Sequence, residues 1–252
     1  MRKAVKRGGR VSAPPMAEGS GDALDGADDI TDKICATLAA AIGEGALRPG
    51  TKILEDTIAE HFGVSRTVVR GALAILQRDH LLERKRNRGA FVAEPSVEEA
   101  KHLFETRRVL ERTILEMVIE RASERDLDRL EALIELEKRI HEGGDETAKT
   151  GLSGRFHIEL SKLGENGVMT ELLGKVVARL SLVMTLYEEE PHDDCGVDHH
   201  RAIIDAIRRR DLKGAQKLMD EHLADIEGRV RLTHSQGDRH TFASVLESFS
   251  TL

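Results

Sequence analysis

The chain has 252 residues, of which 40% are hydrophobic and 33% charged, with only 3% aromatic and no tryptophan. That composition gives enough apolar mass for a sizeable aliphatic core and favours helix over sheet. No stretch reaches the roughly 18 apolar residues of a membrane span. The basic start (Arg2, Lys3, Lys6, Arg7, Arg10) has no apolar run behind it, which argues against a secretory signal. Cys35 and Cys195 lie too far apart to suggest a disulfide framework. A soluble, mainly helical, cytoplasmic chain is expected.

The net charge of −7 is unevenly spread. Residues 31–95 carry 10 basic and 8 acidic side chains, whereas residues 96–252 carry 23 and 32. A mildly basic front and an acidic back point to different partners for the two parts. Residues 1–28 are rich in Gly, Ala, Pro and Asp without periodicity, and read as a disordered arm.

Residues 29–95 form a punctuated unit. A helix is expected from Asp29 to Gly45, with Ile34, Leu38, Ala41 and Ile42 on one face. Pro49-Gly50 makes a turn. A short helix follows over Leu54–Phe62 and closes at Gly63. Ser65 then stands at the N-cap of a third helix reaching Asp79, with Val68, Val69, Leu73 and Leu76 as its apolar stripe. Extended pieces at Leu81–Arg84 and Ala90–Val92 flank a basic tip of Lys85, Arg86, Asn87, Arg88 and Gly89.

That order is a winged helix-turn-helix. Arg66 and Arg70, four apart on the third helix, share a face and can enter a groove together. A guanidinium bonds bidentately to guanine or clamps a phosphate, and the helix start with Ser65 and Thr67 suits a phosphate.

Residues 96–252 read as an all-α bundle. Ser96 and Glu99 form a capping box for a helix to Ala122. Ser123 and Asp126 open the next, with Leu127, Leu130, Leu133, Ile134 and Ile140 at helical spacing, ending at Gly143-Gly144. Further helices are expected near 146–163, 167–187, 197–210 and 212–234. The last has the stripe Ala215, Leu218, His222 and Ile226, and a short terminal helix is expected over Asp238–Leu252. His157, His200 and His222 each sit beside apolar neighbours in separate helices. Three inward imidazoles can hold a divalent transition metal, although each alone also reads as a hydrogen-bonded core histidine.

The segment from Ala39 to Pro95, with its Pro-Gly turn, GVSR at 63–66, Val69-Arg70, Ala72-Leu73 and the Gly89–Val92 wing, resembles the DNA-binding domain of the GntR family of bacterial regulators. The resemblance implies that Arg66, Thr67 and Arg70 contact DNA from the recognition helix, and that Arg86, Asn87, Arg88 and Gly89 reach the minor groove. Two positions depart from the pattern: Gly71, where Glu is usual, and Asp56, where some members place a DNA-contacting Arg. ETRRVLE at 105–111, FHIELSKLGEN at 156–166, HHRAIIDAIRRRD at 199–211 and LMDEHLADI at 218–226 resemble the FCD domain of the FadR subfamily. There, three histidines and an Asp hold zinc, nickel or a similar ion. The histidines correspond to His157, His200 and His222, but Ser153 stands at the Asp position. Small carboxylate effectors pair with an arginine, here Arg107, which could instead form a salt bridge with Glu111.

The resemblance implies a homodimeric, effector-responsive transcription factor, most simply a repressor relieved by an organic acid, bound to a double-stranded operator and to no membrane. Two other readings of the residues stand beside it. One is a metal-dependent enzyme built on the three histidines; the other is an architectural DNA binder with an inert dimerisation bundle.

Overall fold

A computed structural model describes residues 21–142, 146–187 and 196–230, with side-chain detail for 29–139, 154–187 and 196–230. The front half contains α1 (Gly21–Gly43), β1 (Lys52–Ile53), α2 (Glu55–Phe62), α3 (Arg66–Arg78), β2 (Leu82–Lys85) and β3 (Gly89–Val92). The back half contains α4 (Val97–Arg121), α5 (Glu124–Glu142), α6 (Glu146–Lys162), α7 (Gly167–Tyr187), α8 (Val197–Arg208) and α9 (Leu212–Arg229). This is the mainly helical architecture expected: a winged helix-turn-helix followed by a helical bundle.

Local rules place most boundaries. Gly63 ends α2 at φ 64°, a left-handed conformation that glycine adopts without Cβ strain. Ser65 caps α3 by accepting from the Val68 N–H at 3.4 Å. The expected capping box delivers its Ser96 half, whose hydroxyl accepts from the Glu99 N–H at 3.2 Å. In the wing, the Arg88 N–H donates to the Lys85 carbonyl at 3.0 Å, and Lys85 pairs with Gly89 across the turn.

Several boundaries differ from the sequence reading. Helix α1 begins at Gly21, inside the segment read as an arm; its Gly- and Asp-rich first turns carry no apolar stripe to reveal it. Strand β1 is absent from the reading, because two residues give no period; it pairs antiparallel with β3 and makes the sheet order β1-β3-β2. On α9 the buried side is Ala215, Met219, His222 and Leu223, with Leu218 and Ile226 only half-buried. Cys195, the Gly143-Gly144 break and the expected helix over 238–252 lie outside the described residues, as do residues 1–20 of the expected arm.

The core of the front half joins Ile34, Leu38 and Ile42 of α1 to Ile58, Val69, Leu73, Leu76 and Val92. Leu182 of α7 is fully buried in that same cluster. Elsewhere on α7, Leu173 packs into the main bundle core and Val176, Leu180 and Val183 pack against Leu103 and Phe104 of α4. Lys175 of α7 also pairs with Asp79 at the end of α3, 3.4 Å apart. One helix therefore forms a wall of all three cores.

Candidate DNA-reading face and buried histidine centre

The two ends of the molecule present different chemistry. On α3, burial of Val69, Ala72, Leu73 and Leu76 turns the opposite face outward. Ser65, Arg66, Thr67 and Arg70 are all exposed there. Arg66 pairs with Asp56 at 2.6 Å, and Arg70 donates from Nε to Glu55 at 2.8 Å. Asp56 thus faces the recognition helix from α2, where an arginine would have added positive charge.

At the wing, Arg86, Asn87, Arg88 and Gly89 are exposed. Asn87 (φ 60°) and Gly89 (φ 98°) take the left-handed backbone that tightens the turn. The Arg88 guanidinium and the Lys85 ammonium lie over the Phe91 ring at 5.3 and 5.0 Å, which braces two cations beside the tip.

At the other end, α6, α8 and α9 bring His157, His200 and His222 together, 1%, 0% and 2% exposed. His222 Nε2 lies 3.2 Å from both His157 Nε2 and His200 Nε2. One ligand atom from each ring falls within 4.8 Å of the others. A tetrahedral zinc with Zn–N of about 2.0–2.1 Å spaces its ligands at roughly 3.3 Å, so the two short separations suit one ion.

Proton accounting supports the same fit. Glu111 Oε2 lies 2.5 Å from His157 Nδ1, so that nitrogen donates and leaves Nε2 as a bare lone pair. The Glu137 carboxylate stands 3.5 Å from His200 Nδ1 on the side away from His222, with both residues fully buried. His222 Nε2 faces the bare Nε2 of His157 and the Nε2 of His200, and can share at most one proton with the two. A cation would satisfy all three nitrogens. Burial pushes His157 down to about 4, against the pull of Glu111, and pushes His222 far below the ordinary imidazole range. Both rings are therefore neutral near pH 7, which is the form that ligates metal.

Charged neighbours frame the centre. Arg107 donates from Nε to Glu111 Oε1 at 2.5 Å, so the salt bridge weighed against an effector role is formed. Burial opposes ionisation of Glu111, but His157 and Arg107 outweigh it and hold that carboxyl below its usual range. Phe156 stacks on His200 with centroids 3.9 Å apart. Gly196, at φ 74°, lies so close to His222 that a Cβ there would sit 2.6 Å from the ring. Arg208 reaches from α8 to Glu124, Asp128 and Glu131 on α5, pinning the helix that carries His200 to the one that carries Glu137. An open groove of about 330 Å³ lies elsewhere, lined by Ser96, Glu99, His102 and Arg179 among others, and touches none of the histidines.

The structure thus assembles the three histidines and Arg107 and keeps the α3 and wing residues on one exposed half. The Ser153 side chain lies outside the described residues. Glu111 and Glu137 were missed as partners of the histidines, yet both carry a signal. Glu137 continues the stripe Leu127, Leu130, Ile134, and Glu111 falls between the buried Phe104 and Ile114 on α4. A carboxylate at a core position of an amphipathic helix asks for a cationic or hydrogen-bonding partner.

Comparison with known proteins finds a match for each half of the chain. The family described as "Bacterial regulatory proteins, gntR family" matches residues 30–92, and the FCD domain matches residues 102–225. The HTH-type transcriptional regulator YdhC of Bacillus subtilis is 29% identical over 183 residues, covering 72% of this chain and 82% of that protein. The galactonate operon transcriptional repressor of Escherichia coli is 28% identical over 214 residues, covering 74% and 90%. A crystal structure of a GntR transcriptional regulator from Rhodococcus sp. RHA1 superposes with a TM-score of 0.70 at 27% identity, covering 81% of this chain and all of that one. These relatives are regulators, not enzymes, which sets aside the reading of the histidines as a catalytic centre. The two matched domains follow one another across the wing and into α4, and the chain belongs to the GntR family of bacterial DNA-binding transcriptional regulators, with an FCD domain behind its winged helix-turn-helix.

Proposed function

We propose that this protein is an effector-responsive operator-binding regulator of the FadR type, acting in the cytoplasm as a homodimer and most simply as a repressor. The observation that carries the reading is the convergence of three buried histidines in the same chain as an exposed α3 face that carries Arg66 and Arg70. Residues 29–95 read DNA, with Ser65, Arg66, Thr67 and Arg70 in the major groove and Arg86, Asn87, Arg88 and Gly89 at the minor groove. Two copies match a two-fold operator. Residues 96–252 bind effector and dimerise.

His157, His200 and His222 would hold a divalent transition metal such as zinc or nickel, and Ser153, four positions before His157 on α6, stands at the position where the family has an Asp. Such an ion supplies a Lewis-acid site for the oxygens of a small organic acid. Arg107 supplies the matching positive charge once its pairing with Glu111 is shared. Because the rings are almost fully buried, an effector reaches them only as the surrounding helices part. That movement has a route to the DNA, since α4 and α7 share a core and α7 inserts Leu182 into the core behind α3.

The test has two halves. Metal analysis of the purified protein by mass spectrometry, beside a His157→Ala/His200→Ala variant, should find near-stoichiometric metal that the variant lacks. Selection of bound duplexes from a random pool should return a two-fold repeat. Duplexes without symmetry, or equal metal content in the two proteins, would contradict the reading.

A further inference from the structure

Among the described residues, Glu137 is the buried carboxylate of the bundle core that has no hydrogen-bond partner. It is fully buried on α5, yet neither oxygen has a hydrogen-bond partner, and the His200 Nδ1 that faces it at 3.5 Å is also unpartnered. Isolated in this way, an ionised carboxylate is costly, because burial strips its water without returning a hydrogen bond or a counter-charge. Three features put the missing counter-charge on the far side of His200. The His200 Nε2 points at the histidine cluster, 3.2 Å from His222 Nε2. The Phe156 ring stacked on His200 fixes the plane of the imidazole. The Arg208 clamp to α5 holds the backbone carrying Glu137 against α8.

We infer that Glu137 is a positioning residue for a cation in the three-histidine centre, holding the proton of His200 on Nδ1 so that Nε2 is free to ligate. It forms a second carboxylate–histidine pair beside Glu111–His157. Glu111 is already neutralised by Arg107, so Glu137 is the carboxylate with charge left to offset a dication. It also supplies, through an imidazole, negative charge that Ser153 cannot supply directly. This inference rests on the reading of the histidines as a metal centre.

The experiment is zinc and cobalt(II) titration of the full chain after chelator stripping, comparing wild type with Glu137→Gln, Glu137→Met and His157→Ala. Affinity is read by competition with a chromophoric chelator, and geometry by the cobalt visible spectrum. Outer-shell partners of ligating histidines typically contribute about 10- to 100-fold in metal affinity, and that loss is expected in Glu137→Gln and Glu137→Met. Their metal-free melting temperatures should equal or exceed wild type, because a buried carboxyl group without hydrogen-bond partners has gone. A purely structural carboxylate would not give that opposition of signs. Wild-type zinc affinity in both Glu137 variants would overturn the role of Glu137 and leave the centre intact. Absence of histidine-dependent binding in the wild type would overturn the centre and the inference together. Failure of both metal-free Glu137 variants to fold would also overturn it, since the carboxylate would then serve the fold itself.

Discussion

The Asp56 carboxylate lies 2.6 Å from the Arg66 guanidinium, so an acidic side chain of α2 holds the first arginine of the recognition helix. Both groups are well exposed, and such a pair contributes at most about 1 kcal/mol to stability. Its consequence is for DNA. Asp56→Ala should raise affinity for duplexes of any sequence by a few-fold, because a negative charge leaves the phosphate-facing surface. Arg66→Ala should weaken operator binding by roughly 1–3 kcal/mol while affecting non-specific duplex less. Fluorescence anisotropy on both duplexes at two salt concentrations separates the effects. Equal losses on both duplexes would make Arg66 a phosphate contact rather than a base reader.

Acid should unfold the metal-free bundle earlier than its surface charges require. The folded chain keeps His157 neutral down to about pH 4, against an ordinary value of 6.5. Between those values the unfolded chain holds a proton that the folded chain refuses, so stability falls as pH falls. The slope is about 1.4 kcal/mol per pH unit for each such group. Glu111, with its carboxyl lowered in the fold, adds loss of the same sign at more acidic pH. Chemical denaturation of chelator-stripped protein at pH 7, 6, 5 and 4.5 should show the decline. A flat profile down to pH 4.5 would contradict neutral burial of the histidine.

Gly196→Ala should damage the histidine centre more than the fold. The left-handed φ of 74° costs a Cβ-bearing residue about 1–2 kcal/mol. The added methyl would also sit 2.6 Å from the His222 ring and push it from its place. A modest drop in melting temperature with a disproportionate loss of zinc affinity is expected. Retained affinity would mean that His222 can shift without cost.

Leu182→Ala tests whether α7 joins the two halves. The side chain is fully buried in the core behind α3, and such truncations cost about 2–5 kcal/mol. Because the residue belongs to the bundle helix but serves the front core, DNA affinity should fall although no DNA-facing residue has changed. Unaltered DNA binding by the variant would show that α7 is not a structural link.

How far the sequence carried these conclusions depended on the range of each interaction. Caps, glycine stops and apolar stripes act within one or two turns, so Ser65, Gly63 and Ser96 gave α2, α3 and α4 nearly their observed ends. The three histidines were readable as inward-facing, but their convergence depends on the packing of α6, α8 and α9, which spacing does not encode. Glu137 was readable as an anomaly on the α5 stripe, and only the fold shows that His200 is what it faces. Strand β1 and the Asp56–Arg66 pair depend on contacts between separate elements, and β1 is also too short to give a local period. Leu182 lay on an ordinary apolar helix, and nothing in its neighbours says that it serves the other domain.

The most direct test of the account is the DNA affinity of the full chain, measured by anisotropy on a selected duplex, with the centre loaded and empty. Wild type and His157→Ala/His200→Ala would each be measured chelator-stripped, with zinc, and with zinc plus a panel of small mono- and dicarboxylic acids. A change in Kd of about 5-fold or more is expected in the wild type for at least one acid, and none in the variant. A wild-type Kd that ignores zinc and every acid, or a variant that responds as the wild type does, would contradict it.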